Sequence, residues 1–233
     1  MHLFFGDSHS RQFVGLAGGT LGHYVFSGAT IKGLGSAQSA IKHGNAIQHA
    51  ASFPRKKNIF LMFGSVDLDV TLYRSMCIEK EFDADEFINQ RLIAYKCFVE
   101  TLLTEEYSVH ALCVLAPQIS PLRGDAFFKQ TLTLAGIEES AIRQAAERHD
   151  LTDETRNSRT LDFNDKLESS LSGLERVYVN RIDRSMVDSN NKIFEHFCSK
   201  NPLEHHAMGG ATLNLWRPKV LDFFYGDRAL PAW

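Results

Sequence analysis

The first turn of the chain constrains the fold more than any other segment, because a short apolar run at residues 3–5 is followed at once by Gly6, Asp7 and Ser8. An apolar run that stops at such a turn indicates a buried strand with a sharp end. Open α/β sheets build their sites at the carboxyl ends of strands. A serine on a sharp strand-to-helix turn can present its hydroxyl as a nucleophile. The sequence therefore predicts chemistry at Ser8, with simple capping of the next helix as the alternative.

Apolar strand-like runs alternate with helical patterns along the whole chain. The predicted strands lie at residues 3–5, 23–26, 58–63, 109–116 and 177–179. The predicted helices lie at residues 10–16, 37–51, 83–104, 152–171 and 207–224, with two short ones inside residues 119–149. This alternation favours a parallel sheet covered by helices on both faces. We therefore expect residues 1–233 to form a single α/β domain with a parallel sheet of about five strands.

Charge and hydropathy exclude several classes of protein. The formal net charge is −3 and the 25 Lys and Arg residues are scattered, so no basic stripe indicates a nucleic-acid or membrane-surface partner. No apolar stretch approaches the ~20 residues of a membrane span, and the first strand leaves no room for a secretory signal. The four cysteines form no CxxC pair, which favours buried free thiols. We expect a cytoplasmic protein with no metal and no organic cofactor.

The polar turns follow one another in an order that is typical of one enzyme family. Gly-Asp-Ser at residues 6–8 follows the first strand, a glycine-bearing loop follows the second, and Gly-Ser-Val-Asp at residues 64–67 follows the third. A pair of histidines then precedes the last helix. In this order the chain resembles the SGNH, or GDSL-type, hydrolases. The resemblance implies a flavodoxin-like three-layer α/β/α fold, a serine nucleophile matched by Ser8, and a histidine base near the carboxyl terminus.

The same resemblance implies three hydrogen-bond donors for the oxyanion: the backbone N–H of the serine, a glycine N–H and an asparagine side chain. Gly33 is the best match for the glycine donor, and Gly35 is the second. Asp7 is expected to support catalysis by helix capping and by hydrogen bonds that hold the loops around Ser8.

The turn after the third strand departs from the family's Gly-x-Asn-Asp pattern. Gly64 and Asp67 match it, but Val66 stands where the resemblance implies an asparagine. Valine has no side-chain donor, and the loss of one such donor costs ~10²–10³ in rate. Either Ser65 or another group replaces the donor, or the oxyanion hole is weak. For Asp67 we expect structural hydrogen bonds to the first loop rather than proton transfer.

The histidine block departs further from the family, which has an aspartate three residues before its base. His205 and His206 are the candidates here, and neither has an acid at that spacing. Glu204 is near in sequence but in a different geometry, and Asp183 or Asp188 could supply the acid from the preceding loop. Without an acid, a Ser–His dyad would work slowly, because the imidazole tautomer would be poorly fixed. We place His206 ahead as the base, with a pair of surface histidines as the alternative.

The segment at about residues 119–150 is predicted to be a helical insertion above the site. It follows the fourth strand and is longer than the roughly two to six residues that usually follow a strand. Its apolar side chains include Phe127, Phe128, Leu132 and Leu134. Two interpretations stay open: these side chains form a wall or lid of the substrate pocket, or they pack two extra helices onto the core.

The function that joins these observations is ester hydrolysis, or acyl transfer, through a covalent Ser8 intermediate. The resemblance implies a small-molecule or glycan acyl ester as substrate, such as an acetylated sugar or metabolite. Two other classes stay open. Val66 and the missing acid favour an SGNH-fold binding protein without catalysis. Asp7 with His9 is how a binuclear metallophosphoesterase begins, although too many of its other ligands are absent from the sequence.

Overall fold

A parallel sheet forms the centre of the molecule. The computed structural model describes residues 1–13, 21–133, 135–201 and 203–225. Within them lies a 5-stranded sheet with the strand order β2-β1-β3-β4-β5, in which all neighbours are parallel. Its strands are β1 (His2–Gly6), β2 (Leu21–Val25), β3 (Lys57–Met62), β4 (Val109–Leu115) and β5 (Val177–Asn180). The predicted parallel sheet is confirmed, and each strand lies close to its predicted position.

Helices cover both faces of the sheet. The α-helices are α1 (Ile31–Leu34), α2 (His43–Ser52), α3 (Leu72–Ile78), α4 (Ala84–Leu102), α5 (Gly124–Phe127), α6 (Glu139–Arg148), α7 (Asp153–Leu171) and α8 (Gly209–Tyr225). Shorter 3-10 helices lie at Ser8–Phe13, Asp183–Ser185 and Glu195–Phe197, and π-helical turns lie at Asp67–Thr71 and Phe128–Thr133. Within the described ranges, no helix is both long and apolar enough to cross a membrane.

Alternate residues of the strands point into two separate cores, as the pleat of a strand requires. On one face the strands pack against α1, α2, α4 and α7. On the other face Phe4 stacks on Phe13 and on Phe60, with ring centroids 4.7 and 5.7 Å away, and Trp216 of α8 completes this core. Full burial of a side chain such as Phe4 stabilises the fold by about 1.5–3 kcal/mol. The three-layer α/β/α, flavodoxin-like fold that the sequence predicts is confirmed.

Two predicted helix starts are confirmed by their caps, and one is displaced. The Asp83 carboxylate accepts the N–H groups of Asp85 and Glu86 at the start of α4, and Thr152 accepts the N–H of Thr155 in α7. The helix predicted over residues 37–51 begins only at His43. Lys42 interrupts it, because its φ of 51° is left-handed and lies outside helical geometry.

The helices that follow β4 pack on α3 rather than on the sheet. A third apolar cluster joins Leu72, Tyr73 and Met76 of α3 to Phe127, Leu132 and other residues of the segment between β4 and α7. Phe127 is fully buried there, with its ring edge-on to that of Tyr73 at 5.1 Å. Leu134, the fourth predicted apolar residue, lies outside the described residues. Of the two interpretations of the insertion, this packing favours extra helices packed onto the core and not a lid of the pocket.

Candidate active site

The turn after β1 places Ser8 at the carboxyl edge of the sheet. Gly6 is paired with Val25 of β2 and with Met62 of β3, so the loops that follow these strands start side by side. A Cβ on Gly6 would lie 2.5 Å from Cβ of Ser10 and 2.9 Å from the Met62 carbonyl, so only glycine fits this sharp turn. Half-buried Ser8 then opens the 3-10 helix, and the first N–H groups of a helix have no acceptor within it.

Ser8 and His206 line one cavity of about 300 Å³. Its lining residues are Ser8, His9, Arg11, Gln12, Gln118, His206, Ala207 and Gly209. The two come from opposite ends of the sequence and meet because the 3-10 helix after β1 packs against α8. The cavity thus holds the predicted nucleophile and the predicted base together.

Glu204, rather than Asp183 or Asp188, is the acid that contacts the imidazole of His206. Its Oε1 lies 2.7 Å from Nδ1 of His206 and also accepts the His206 backbone N–H at 3.0 Å. With Nδ1–H donating to the carboxylate, Nε2 of His206 is the basic nitrogen. That Nε2 is buried and has no hydrogen-bond partner among the described residues. Burial and the nearby His9 lower the pKa of His206, although Glu204 opposes this, so the imidazole is neutral at pH 7.

The two expected orienting acids are engaged elsewhere. Asp183 is buried and makes a two-point ion pair with Arg181, through Nε at 3.1 Å and a terminal nitrogen at 2.7 Å. Asp188 accepts the backbone N–H groups of Asn190 and Lys192, both at 2.9 Å, and closes a turn. Both carboxylates therefore have structural roles away from His206, and neither candidate acid contacts its imidazole in the described structure.

His205 occupies the outer side of the histidine block. Its side chain is 38% exposed against 28% for His206, and its Nδ1 lies 3.8 Å from Glu204, beyond hydrogen-bond distance. Burial, together with repulsion from the neighbouring imidazoles of His206 and His9 when they are protonated, lowers its pKa to about 4. His205 is not among the residues that line the Ser8 cavity. This placement favours His206 over His205 as the base.

Asp7 and His9 form a buried pair on either side of Ser8 in the chain. The fully buried carboxylate of Asp7 accepts the backbone N–H of His9 at 2.9 Å and lies 3.2 Å from its Nδ1. Burial lowers the pKa of His9, but the charge and hydrogen bond of Asp7 outweigh it and raise the pKa above its usual value. His9 is therefore suited to be a structural cation and not a general base, and Asp7 holds the Ser8 turn.

The glycine predicted as an oxyanion donor has its N–H engaged within α1. The N–H of Gly33 donates to the carbonyl of Thr30 at 3.1 Å and to its hydroxyl at 3.2 Å, because Thr30 caps this helix. A Cβ on Gly33 would also lie 2.5 Å from Cε1 of His43, so the glycine allows close packing of His43. The N–H of Gly33 is thus already engaged by Thr30, and its role as an oxyanion donor stays a prediction.

The turn after β3 is fixed by Asp67. Its carboxylate accepts the N–H of Ile31 at 2.7 Å and Nε of Arg91 at 2.9 Å, so it ties the loop after β2, not the loop after β1, to α4. Burial raises the pKa of Asp67 to about 6, against the opposing effects of Ile31 and Arg91. Gly64 adopts φ 123°, a conformation that favours glycine. Ser65 is buried, and its hydroxyl has no partner among the described residues.

Gln118 is a cavity residue that the sequence analysis missed. It follows β4 by three residues, is only 4% exposed and lines the same cavity as Ser8 and His206. Its Nε2 has no hydrogen-bond partner among the described residues. The available signal was a lone amide in the apolar stretch that follows strand four.

One group of side chains has the donor set for a metal ion. Among the described residues, Glu204, His205 and His206 offer ligand atoms within 4.8 Å of one another. Glu204 and Nδ1 of His206 already satisfy each other by a hydrogen bond. Asp7 and His9, the expected first ligands of a metallophosphoesterase, belong to no such group in the part of the chain that the structure describes.

Comparisons with known proteins support the fold and give no close relative. No family model matches the chain, and no curated protein sequence matches it. Among solved structures, a protein from Streptococcus pneumonia that is provisionally described as a platelet activating factor aligns with a TM-score of 0.59 and 13% identity, over 96% of this chain and 82% of that one. An extracellular lipase from Streptomyces rimosus aligns with a TM-score of 0.43 and 12% identity, over 93% and 96% of the two chains. The first similarity shows a shared fold.

Proposed function

We propose that the protein is a serine hydrolase of ester bonds, with Ser8 as nucleophile and His206 as general base. The observation that carries this proposal is the joint placement of Ser8 and His206 in one cavity, with Glu204 bonded to the far nitrogen of the imidazole. A serine whose hydroxyl is activated by a histidine, which is itself oriented by an acid, recurs on unrelated folds. Ser8 shares the cavity with His206, and Glu204 contacts the His206 imidazole.

The chemistry proceeds in two steps. Nε2 of His206 takes the proton of the Ser8 hydroxyl while Oγ attacks the acyl carbonyl, and the N–H of Ser8 donates to the oxygen on which negative charge develops. The imidazolium, stabilised by Glu204, returns the proton to the leaving alcohol as the ester bond breaks. A water molecule, or another alcohol in an acyl transfer, then releases the acyl group from Ser8 with His206 again as base.

The cavity supports a small substrate with polar groups. Its volume of about 300 Å³ is at the lower end of the range for ligand pockets. Arg11 and Gln12 contribute polar side chains to its wall, beside the small Ala207 and Gly209. A small cavity with polar walls suits an ester of a short acyl group and a polar alcohol, such as an acetylated sugar or metabolite.

The test is hydrolysis of p-nitrophenyl acetate by the wild type and by Ser8→Ala, with Ser172→Ala as the matched control. Ser172 is exposed just after α7 and shortly before β5, near the amino ends of the strands, whereas Ser8 follows the carboxyl end of β1. Ser8→Ala should lower kcat at least ~10⁴-fold and leave Tm within a few degrees, while Ser172→Ala keeps both. A wild type with no esterase activity would favour the binding protein, and EDTA-sensitive hydrolysis of p-nitrophenyl phosphate would favour the metallophosphoesterase.

A further inference from the structure

We infer that the side-chain amide of Gln118 donates to the oxyanion in place of the asparagine that Val66 replaces. The inference rests on the proposed serine hydrolase function and adds a catalytic residue to it. Hydrolysis of an ester at Ser8 places a negative charge on the former carbonyl oxygen, and preorganised donors at that oxygen accelerate the reaction strongly. The backbone N–H of Ser8 is one donor, and a further donor at the same oxygen would stabilise the developing charge more.

The turn after β3 offers no donor in the cavity. Val66 is apolar, and the carboxylate of Asp67 is occupied by Ile31 and Arg91. Ser65 has an unpartnered hydroxyl, but it is 2% exposed and is not among the residues that line the Ser8 cavity. Ser65 is the rival candidate, but it does not line the cavity that holds Ser8 and His206.

Gln118 combines two properties that the turn after β3 does not: it lines the cavity, and it has an available side-chain hydrogen-bond donor. It lines the cavity with Ser8 and His206, and its Nε2 is a buried donor without a partner among the described residues. Leaving a buried N–H donor unsatisfied destabilises a protein. A buried, unpaired donor on a residue that lines the same cavity as Ser8 indicates that a ligand atom completes its hydrogen bond.

The backbone around Gln118 is held in place by two neighbours. The carbonyl of Pro117 accepts Nδ2 of the fully buried Asn164 in α7 at 2.9 Å. The ring of Pro117 packs against Gly64, where a Cβ would lie 2.6 Å from its Cγ. Strands β3 and β4 are neighbours, so these contacts hold Gln118 beside the turn that carries Val66. An oxyanion donor needs such fixed placement, because it must not reorganise during the reaction.

The experiment compares kcat and KM for p-nitrophenyl acetate in Gln118→Ala, Gln118→Glu and Ser120→Ala. Ser120 is the matched control, since it lies on the same loop and has a buried, unpartnered hydroxyl outside the cavity lining. Gln118→Ala should lower kcat by ~10²–10³ and change KM little, since this hydrogen bond strengthens only in the transition state. Gln118→Glu should be slower still above pH 6, because a carboxylate repels the oxyanion.

A second variant tests whether the two positions serve the same oxygen. Val66→Asn should recover part of the lost kcat in the Gln118→Ala background and have a smaller effect in the wild type. Wild-type kcat in Gln118→Ala, or an equal loss in Ser120→Ala, would overturn the inference, and a loss confined to Ser65→Ala would assign the donor to Ser65. If the Gln118 inference fails in any of these ways while Ser8→Ala is still inactive, the serine hydrolase proposal stands.

Discussion

The carboxylate of Glu204 lies 2.7 Å from Nδ1 of His206, although only one residue separates them in the chain. The same oxygen accepts the backbone N–H of His206, so one short turn fixes both the main chain and the ring. An acid three residues before the base, as in the SGNH family, is therefore not required to orient this histidine.

Removing the Glu204 carboxylate should impair turnover more than stability. Glu204→Ala leaves Nδ1 of His206 without its acceptor, so the wrong tautomer becomes populated. A buried triad acid is worth ~10⁴ in kcat; Glu204 is 41% exposed, and we expect roughly 10²-fold on this scale. The rival acid supplies the control: Asp188→Ala should lower Tm and leave kcat near the wild-type value. The reverse pattern would return the orienting role to Asp188.

The two neighbouring histidines should respond unequally to substitution. His206→Ala removes the proton acceptor and should lower kcat by at least ~10³-fold, whereas His205→Ala should lower it less than about tenfold on the same scale. Steady-state hydrolysis of p-nitrophenyl acetate measures both. Near-normal rates in both variants would contradict the assignment of the base.

The acid limb of the pH profile should lie below the usual histidine range. In the proposed mechanism His206 must be neutral to accept the Ser8 proton. Burial and the charges of His9 and Arg11 lower its pKa, and Glu204 acts in the opposite direction. Activity should therefore persist below pH 6.5 and fall as the pH drops further. His9→Asn removes a nearby positive charge and should move the midpoint of kcat/KM to higher pH. A midpoint of kcat/KM above pH 7 in the wild type would show that the pKa of His206 is not lowered.

The Arg91–Asp67 pair should make stability depend on pH. With Arg91 present, the pKa of the buried Asp67 carboxyl is about 6, and removing Arg91 raises it further. At pH 5 the carboxyl is then neutral, so the loss of Arg91 costs little. At pH 7.5 the carboxylate is left charged in the core without its partner, or it must take up a proton, and either outcome destabilises the fold. Arg91→Met should therefore cost about 3 kcal/mol at pH 7.5 and clearly less at pH 5. Urea unfolding at the two pH values measures this, and an equal loss at both would show that Arg91 acts by packing alone.

Phe127 should contribute to stability and not to substrate choice. Its ring is 0% exposed, and the guanidinium of Arg156 lies over it at 3.7 Å. Phe127→Ala should reduce the free energy of unfolding by about 3–5 kcal/mol, with an unchanged ratio of kcat/KM between acetyl and longer acyl esters. A shift in that ratio without loss of stability would restore the lid interpretation.

Local sequence signals were sufficient for the fold. The strands are short apolar runs with abrupt polar ends, and the side chains of Asp83 and Thr152 cap helices through contacts two or three residues away. Such interactions join residues that are close in the sequence, so the sequence pattern alone can reveal them. Lys42 is an exception, because its left-handed backbone has no signature in a lysine.

The site could be predicted only in part, because its remaining features depend on distant contacts. Ser8 and His206 follow from their positions next to a strand and a helix. The engagement of Gly33 by Thr30 depends on where α1 begins. The position of Gln118 depends on the contacts that Gly64 and Asn164 make with the neighbouring Pro117. The short turn that joins Glu204 to His206 needs a backbone conformation that the residue types do not reveal.

The most direct test of the central claim is covalent labelling with a fluorophosphonate, followed by peptide mapping of the modified residue. The reagent phosphonylates a serine that a neighbouring base activates, so the proposed arrangement predicts one adduct, on Ser8, in the wild type. Labelling should be abolished in Ser8→Ala and slowed strongly in His206→Ala. An adduct on another residue, or unchanged labelling of Ser8→Ala, would contradict the account.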